Sequence, residues 1–120
     1  MARIALDAMG GDHAPAATIA GALLALQELA PEHSIQLVGR SEVIRAELDA
    51  QLTASAPAVR EQAHRLSVVE AADVIEMTDK PSVAIRGKPN SSMAVGIRLQ
   101  VDGRSDAFVS AGNTGAQMAA

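Results

Sequence analysis

Short apolar runs that end in glycine alternate along this chain with segments of helical period, and that alternation restricts the fold more than any other feature. Residues 3–8 (Arg3-Ile4-Ala5-Leu6-Asp7-Ala8) read as a strand halted by Gly10-Gly11, where the backbone can turn through conformations closed to other residues. Pro15 suits the first turn of a following helix, whose Ile19, Leu23, Leu26 and Ala30 form one helical stripe before Pro31. Residues 34–39 read as a second strand, and Ser41 is placed to cap a second helix with its apolar line at Ile44, Leu48 and Leu52. A third strand is expected at 66–69 and a fourth at 106–110. Between them lies a helix capped by Ser91 or Ser92, with a Met93, Ile97, Val101 stripe closing at Asp102-Gly103. The weaker pattern over 53–65 reads as a helix end and a surface connection. Residues 70–81 read as a loop with at most a turn of helix, 81–86 as a short helix, and a last helix should begin after Gly115. Strands regularly separated by helices predict an α/β fold with parallel strands and crossover helices.

At 120 residues the chain is one domain's worth, 1–120, and its 48% hydrophobic and 20% charged residues are those of a globular protein. One Phe with no Trp or Tyr leaves little for bases to stack on, and a net charge of -4 opposes phosphate backbones, so nucleic acid is excluded as a partner. The absence of Cys removes disulfides, thiolate zinc sites, iron–sulfur clusters and thiol nucleophiles together, and fits a cytoplasmic protein. No secretory signal is expected, because Asp7 interrupts the first apolar stretch. The longest stretch free of Asp, Glu, Lys and Arg, residues 13–27, is shorter than the about 20 residues a helical bilayer span needs. Peripheral membrane contact stays open. The last helix starts without a stop signal before Ala120, so the chain is expected to be truncated at its carboxyl end.

Five of the nine glycines, Gly10, Gly11, Gly39, Gly112 and Gly115, follow predicted strands, and in a parallel sheet those carboxyl ends share the edge where ligands bind. None of these turns has the glycine spacing of a dinucleotide or Walker motif, and His13, His33 and His64 lack metal-ligand spacing, so no cofactor and no metal is expected. The turn Ser110-Ala111-Gly112-Asn113-Thr114-Gly115 is the better anion candidate. Its glycines let backbone N–H groups approach a phosphate, Ser110, Asn113 and Thr114 add neutral donors, and the following helix contributes its dipole. The alternative is that Asn113 or Thr114 only caps that helix. Asp12 and His13 read either as a general acid/base pair or as a helix cap beside an exposed loop residue. Lys80, Arg86, Lys88, Arg98 and Arg104 stand against a lone Asp102, a basic segment suited to an anionic substrate or acidic partner, or simply a solvated face.

Leu6-Asp7-Ala8-Met9-Gly10-Gly11-Asp12-His13-Ala14-Pro15 closely resembles the opening of the bacterial phosphate acyltransferases of phospholipid synthesis. Thr78-Asp79-Lys80-Pro81-Ser82-Val83-Ala84-Ile85-Arg86 with Asn90-Ser91-Ser92-Met93, and Val109-Ser110-Ala111-Gly112-Asn113-Thr114-Gly115-Ala116, resemble two further blocks of that family in the same order. The family's enzymes are longer, so the resemblance is to their amino-terminal part. It implies a three-layer α/β/α fold with a mostly parallel sheet, related to the isocitrate/isopropylmalate dehydrogenase and phosphotransacetylase group, working as a homodimer in the cytoplasm or at the inner membrane face. The implied reaction joins inorganic phosphate to the acyl group of a fatty acyl-acyl-carrier-protein, and its acyl phosphate feeds a glycerol-3-phosphate acyltransferase. On this reading Gly112, Asn113, Thr114 and Gly115 hold phosphate and Arg86 and Lys88 balance its charge. Ser91 and Ser92 are further donors, Asp12 and His13 handle protons, and the basic segment faces the acidic carrier protein. A noncatalytic phosphate- or nucleotide-binding domain, or a phosphotransacetylase using coenzyme A thioesters, are the alternatives.

Overall fold

The structure is a computed structural model and describes residues 1–74, 80 and 87–112. Its centre is a parallel sheet of β1 (Arg3–Asp7), β2 (Ser34–Gly39), β3 (Leu66–Glu70) and β4 (Ala107–Val109), in the order β3-β2-β1-β4. Helix α1 (Ala16–Glu28) connects β1 to β2. Between β2 and β3 lie α2 (Ser41–Thr53), the single turn α3 (Pro57–Arg60) and a 3-10 turn at Ala63–Arg65. Helix α4 (Ser92–Val101) precedes β4.

Strand alternation divides the core in two. Leu6, Ile35, Leu37, Leu66 and Val68 face α1 and α2, where Ile19, Ala22, Leu23, Leu26 and Ile44 complete one apolar cluster. Ala5, Val38, Val69 and Phe108 point to the opposite face and pack with Val95 and Leu99 of α4. Helices on both faces of a parallel sheet make the expected three-layer α/β architecture. The face changes because the chain changes direction: β1 to β3 progress one way across the sheet, and the crossover through α4 returns to the far side of β1. Right-handed crossovers running in opposite directions lay their helices on opposite faces.

Several local expectations give way to packing. Helix α4 buries Ser92, Met93, Gly96 and Leu99, not the Met93, Ile97, Val101 stripe, and leaves Val101 78% exposed. Its contact face is centred on Gly96, where a Cβ would stand 2.2 Å from Cε1 of Phe108. The closest helix-to-sheet approach is thus marked by the residue with no side chain, which hydrophobic periodicity does not register. Helix α1 stops at Glu28, so Ala30 lies beyond the helix it was expected to join. Ser41 is the first residue of α2 rather than its cap, and its N–H donates to Glu70 Oε2 at 2.9 Å.

The connection before β3 carries an unforeseen anchor. Arg65 is only 6% exposed, and its guanidinium donates to the carbonyls of Leu26, Ala30 and His33 at 2.7, 2.7 and 2.9 Å. These include the unpaired carboxyl-terminal carbonyls of α1, the negative end of its dipole, so one cation closes the helix and ties it to β3. The predicted helices at 81–86 and after Gly115 fall outside the described residues.

Candidate functional site

The order β3-β2-β1-β4 reverses direction at β1, so the carboxyl ends of β1 and β4 flank the sheet's topological switch point. In open α/β sheets that is where two connections diverge to opposite faces and leave a crevice for a ligand. Residues 8–13 leave β1 there and residues 110–112 leave β4. The two turns touch: a Cβ on Gly112 would lie 3.5 Å from Cα of Gly10, and one on Gly11 would lie 3.4 Å from Cβ of Ala111. Gly11 has φ +96, a region other residues rarely adopt, so this crossing demands glycine for conformation as well as for space.

The amino end of α4 closes the third side. Ser91 is fully buried and its side chain accepts from the Ala94 N–H at 3.1 Å, the expected cap. Ser92 is equally buried and begins the first turn, and its N–H donates to the carbonyl of Asp73 at 3.0 Å, joining α4 to the segment that leaves β3. Met93 Cε would lie 3.3 Å from a Cβ on Gly112, which brings the start of α4 against the turn out of β4. The Ser91-Ser92 block and the Gly10-Gly11 and Ser110-Gly112 blocks, separated by most of the chain, therefore meet at one edge.

Asp7 was not singled out from the sequence, yet it joins the two turns. It is the last residue of β1, 2% exposed, and on the α4 side of the sheet. Its Oδ1 accepts from the Met9 N–H at 3.1 Å and its Oδ2 from the Ser110 hydroxyl at 2.9 Å. The same Ser110 Oγ accepts from the Gly112 N–H at 3.0 Å. The expectation that Ser110 is a phosphate donor is thereby revised: its proton is directed at Asp7. The Gly112 N–H is likewise used within the turn, and that glycine contributes close approach. An acid alternating with apolar residues in a strand just before a Gly-Gly pair was the available signal.

Asp12 and His13 sit exposed on the β1 turn. No hydrogen bond or ion pair joins them among the described residues, and α1 has no side-chain cap, so Asp12 is neither paired with His13 nor capping the helix. The His13 carbonyl instead accepts from the Ala17 N–H at 3.0 Å. Lys88 donates from Nζ to the Val74 carbonyl at 2.7 Å, and Arg98 donates to that of Pro89 at 2.6 Å, so both cations brace the approach to α4. Lys80 and Arg104 are exposed. Arg86, Asn113, Thr114 and Gly115 lie outside the described residues. At the neighbouring β3 end, hydrogen bonds from the Ser41 side chain and N–H hold the Glu70 carboxyl below its ordinary value. No group of three or more His, Cys, Asp or Glu that could hold a metal ion occurs among the described residues.

Comparison with known proteins matches residues 2–120 to the family described as fatty acid synthesis protein. Curated relatives named phosphate acyltransferase include those of Herpetosiphon aurantiacus, 51% identical over 117 residues, and Salinibacter ruber, 48% identical over 118. Another, from Magnetococcus marinus, is 50% identical over 117 residues. Each alignment covers 98% of this chain but only 29%, 33% and 31% of the respective relative, so the chain spans about a third of their length.

Proposed function

Because the chain belongs to the fatty acid synthesis protein family, we propose that it forms the phosphate-binding part of a phosphate acyltransferase. In the proposed reaction inorganic phosphate attacks the thioester carbonyl of a fatty acyl-acyl-carrier-protein, yielding acyl phosphate and free carrier protein for phospholipid synthesis. The observation that carries this reading is the meeting of the Gly10-Gly11 and Ser110-Gly112 turns with the start of α4 at the switch point of a parallel sheet. Two glycine-containing turns there meet a helix amino end, the setting in which backbone N–H groups and a helix dipole favour an anion.

The chemistry asks little of side chains. A phosphate oxygen is already nucleophilic near neutral pH, so the protein's task is to hold it in line with the carbonyl carbon and to stabilise the oxyanion that develops. The C–O bond to phosphate forms, the C–S bond breaks, and the carrier thiolate takes up a proton. A chain with no Cys lacks nothing this route requires. We assign phosphate binding to Gly112, Asn113, Thr114 and Gly115 of the sequence run after β4, with Ser91 and Ser92 at the start of α4 as further donors. Arg86 and Lys88 supply positive potential, and the exposed His13 and Asp12 of the β1 turn carry protons. Exposed Lys80 and Arg98 offer an acidic carrier protein positive charge, whereas Arg104 precedes β4 at the opposite edge of the sheet.

The same reading carries a homodimer acting in the cytoplasm or at the inner membrane face and passing acyl phosphate to a glycerol-3-phosphate acyltransferase. Among the described residues no helix is long and apolar enough to cross a membrane. The test is a chimera in which this chain replaces the matching segment of the Herpetosiphon aurantiacus relative, supplied with palmitoyl-acyl-carrier-protein and phosphate. Formation of acyl phosphate is expected, with coenzyme A thioesters poorer donors. A folded chimera that forms none overturns the assignment.

A further inference from the structure

Asp7 is a buried ionisable group that the proposed chemistry does not use. Its carboxylate accepts two hydrogen bonds, from the Met9 N–H on its own turn and from the Ser110 hydroxyl across the sheet, 103 residues away. With its hydroxyl donating to Asp7, Ser110 Oγ turns a lone pair to the Gly112 N–H, which holds the chain bent as it leaves β4. The space around this relay is filled: a Cβ on Gly10 would stand 2.7 Å from Asp7 Oδ2 and 3.0 Å from Ser110 Oγ. Two adjacent parallel strands need no such bond to pair. The relay acts beyond their ends, on the direction in which both turns depart.

We infer that Asp7 is a positioning residue for anion binding, acting through Ser110 to set the turn at Gly112. The inference rests on the phosphate-site reading above and names a residue that reading leaves out. A carboxylate is required because both of its oxygens accept. Asparagine keeps the volume but points an NH2 group either at the Met9 N–H, where two donors oppose each other, or at Ser110, where it reverses the hydrogen bond and takes the acceptor from the hydroxyl proton.

The test titrates the 120-residue chain with inorganic phosphate and follows backbone amide resonances, with sulfate as a competitor, for wild type, Asp7→Asn, Ser110→Ala, Ser110→Thr and the Asp7→Asn/Ser110→Ala double variant. Wild type and Ser110→Thr, which retains the hydroxyl, should bind alike. Asp7→Asn and Ser110→Ala should each weaken binding about tenfold, the scale of one hydrogen bond to a charged group. The double variant should be no weaker than either single variant, because both break one relay. In the absence of phosphate, the Gly112 amide should exchange faster in both single variants. If Asp7→Asn fails to fold, Ser110→Ala removes the same hydroxyl without touching the charge and decides the matter. A folded Asp7→Asn or Ser110→Ala variant that binds phosphate as wild type does overturns the positioning role alone. Absence of phosphate binding by wild type overturns the phosphate-site reading, and this inference with it.

Discussion

Gly96 of α4 and Phe108 of β4 lie so close that a Cβ on the glycine would stand 2.2 Å from the ring. The contact sets how deeply α4 seats on the sheet and therefore where its amino end meets the turn out of β4. Replacing Gly96 by Ala gains helix propensity of up to about 1 kcal/mol. It also forces the ring aside in a filled layer, and overpacking of this kind costs about 1–3 kcal/mol. A net loss in stability is expected by urea denaturation, largely restored when Phe108→Leu makes room. A Gly96→Ala chain as stable as wild type contradicts the close packing.

Arg65 should be among the least replaceable residues outside the site. Arg65→Met leaves the terminal carbonyls of α1 without their donor and should cost about 3 kcal/mol. Arg65→Lys keeps the charge, but a single ammonium cannot span carbonyls from Leu26 to His33, so most of that loss should persist. Thermal melts of the two variants, with hydrogen exchange at the carboxyl end of α1, provide the check.

The Gly10-Gly11 pair should respond to alanine for two separate reasons. At Gly11 the positive φ penalises any side chain, by about 1–3 kcal/mol. At Gly10 the new methyl meets the Asp7 carboxylate and the Ser110 hydroxyl. Gly10→Ala should therefore speed exchange of the Gly112 amide, a distant effect that local backbone strain would not produce.

Two carboxylates make the fold sensitive to acid. The Arg3 N–H, donating at 2.7 Å, and then the Arg3 side chain hold Asp106 below its ordinary value; Ser41 does the same for Glu70. A lowered folded-state value means that the unfolded chain binds protons more readily. The stabilisation is thus complete above the unfolded carboxylate range and is lost as pH falls through the folded values. Urea midpoints of an Asp106→Asn/Glu70→Gln chain should lie below wild type at neutral pH and converge with it below about pH 4. Parallel pH curves count against both assignments.

Much of the architecture was legible because it is local. The strand at 34–39, the helical lines of α1 and α2 and the Ser91 cap depend on neighbours within a few residues, and the glycines after β1 and β4 mark the edge where the turns meet. Expectations failed where the decisive partner was remote. Ser41 is held by Glu70 instead of capping, and Val101 is exposed because Phe108 selects the Gly96 face. Arg65 and Asp7 went unnoticed because their partners lie tens of residues away.

The sequence by itself determined an α/β chain with parallel strands and placed its candidate anion turns at strand carboxyl ends, since periodicity, glycine and capping act over short spans. Only the tertiary structure decided that β4 returns beside β1, that α4 occupies the opposite face, and that Asp7 reaches Ser110 across the switch point. Those outcomes depend on which apolar faces can be buried together and which buried polar groups find partners, quantities that exist only once distant segments share a core.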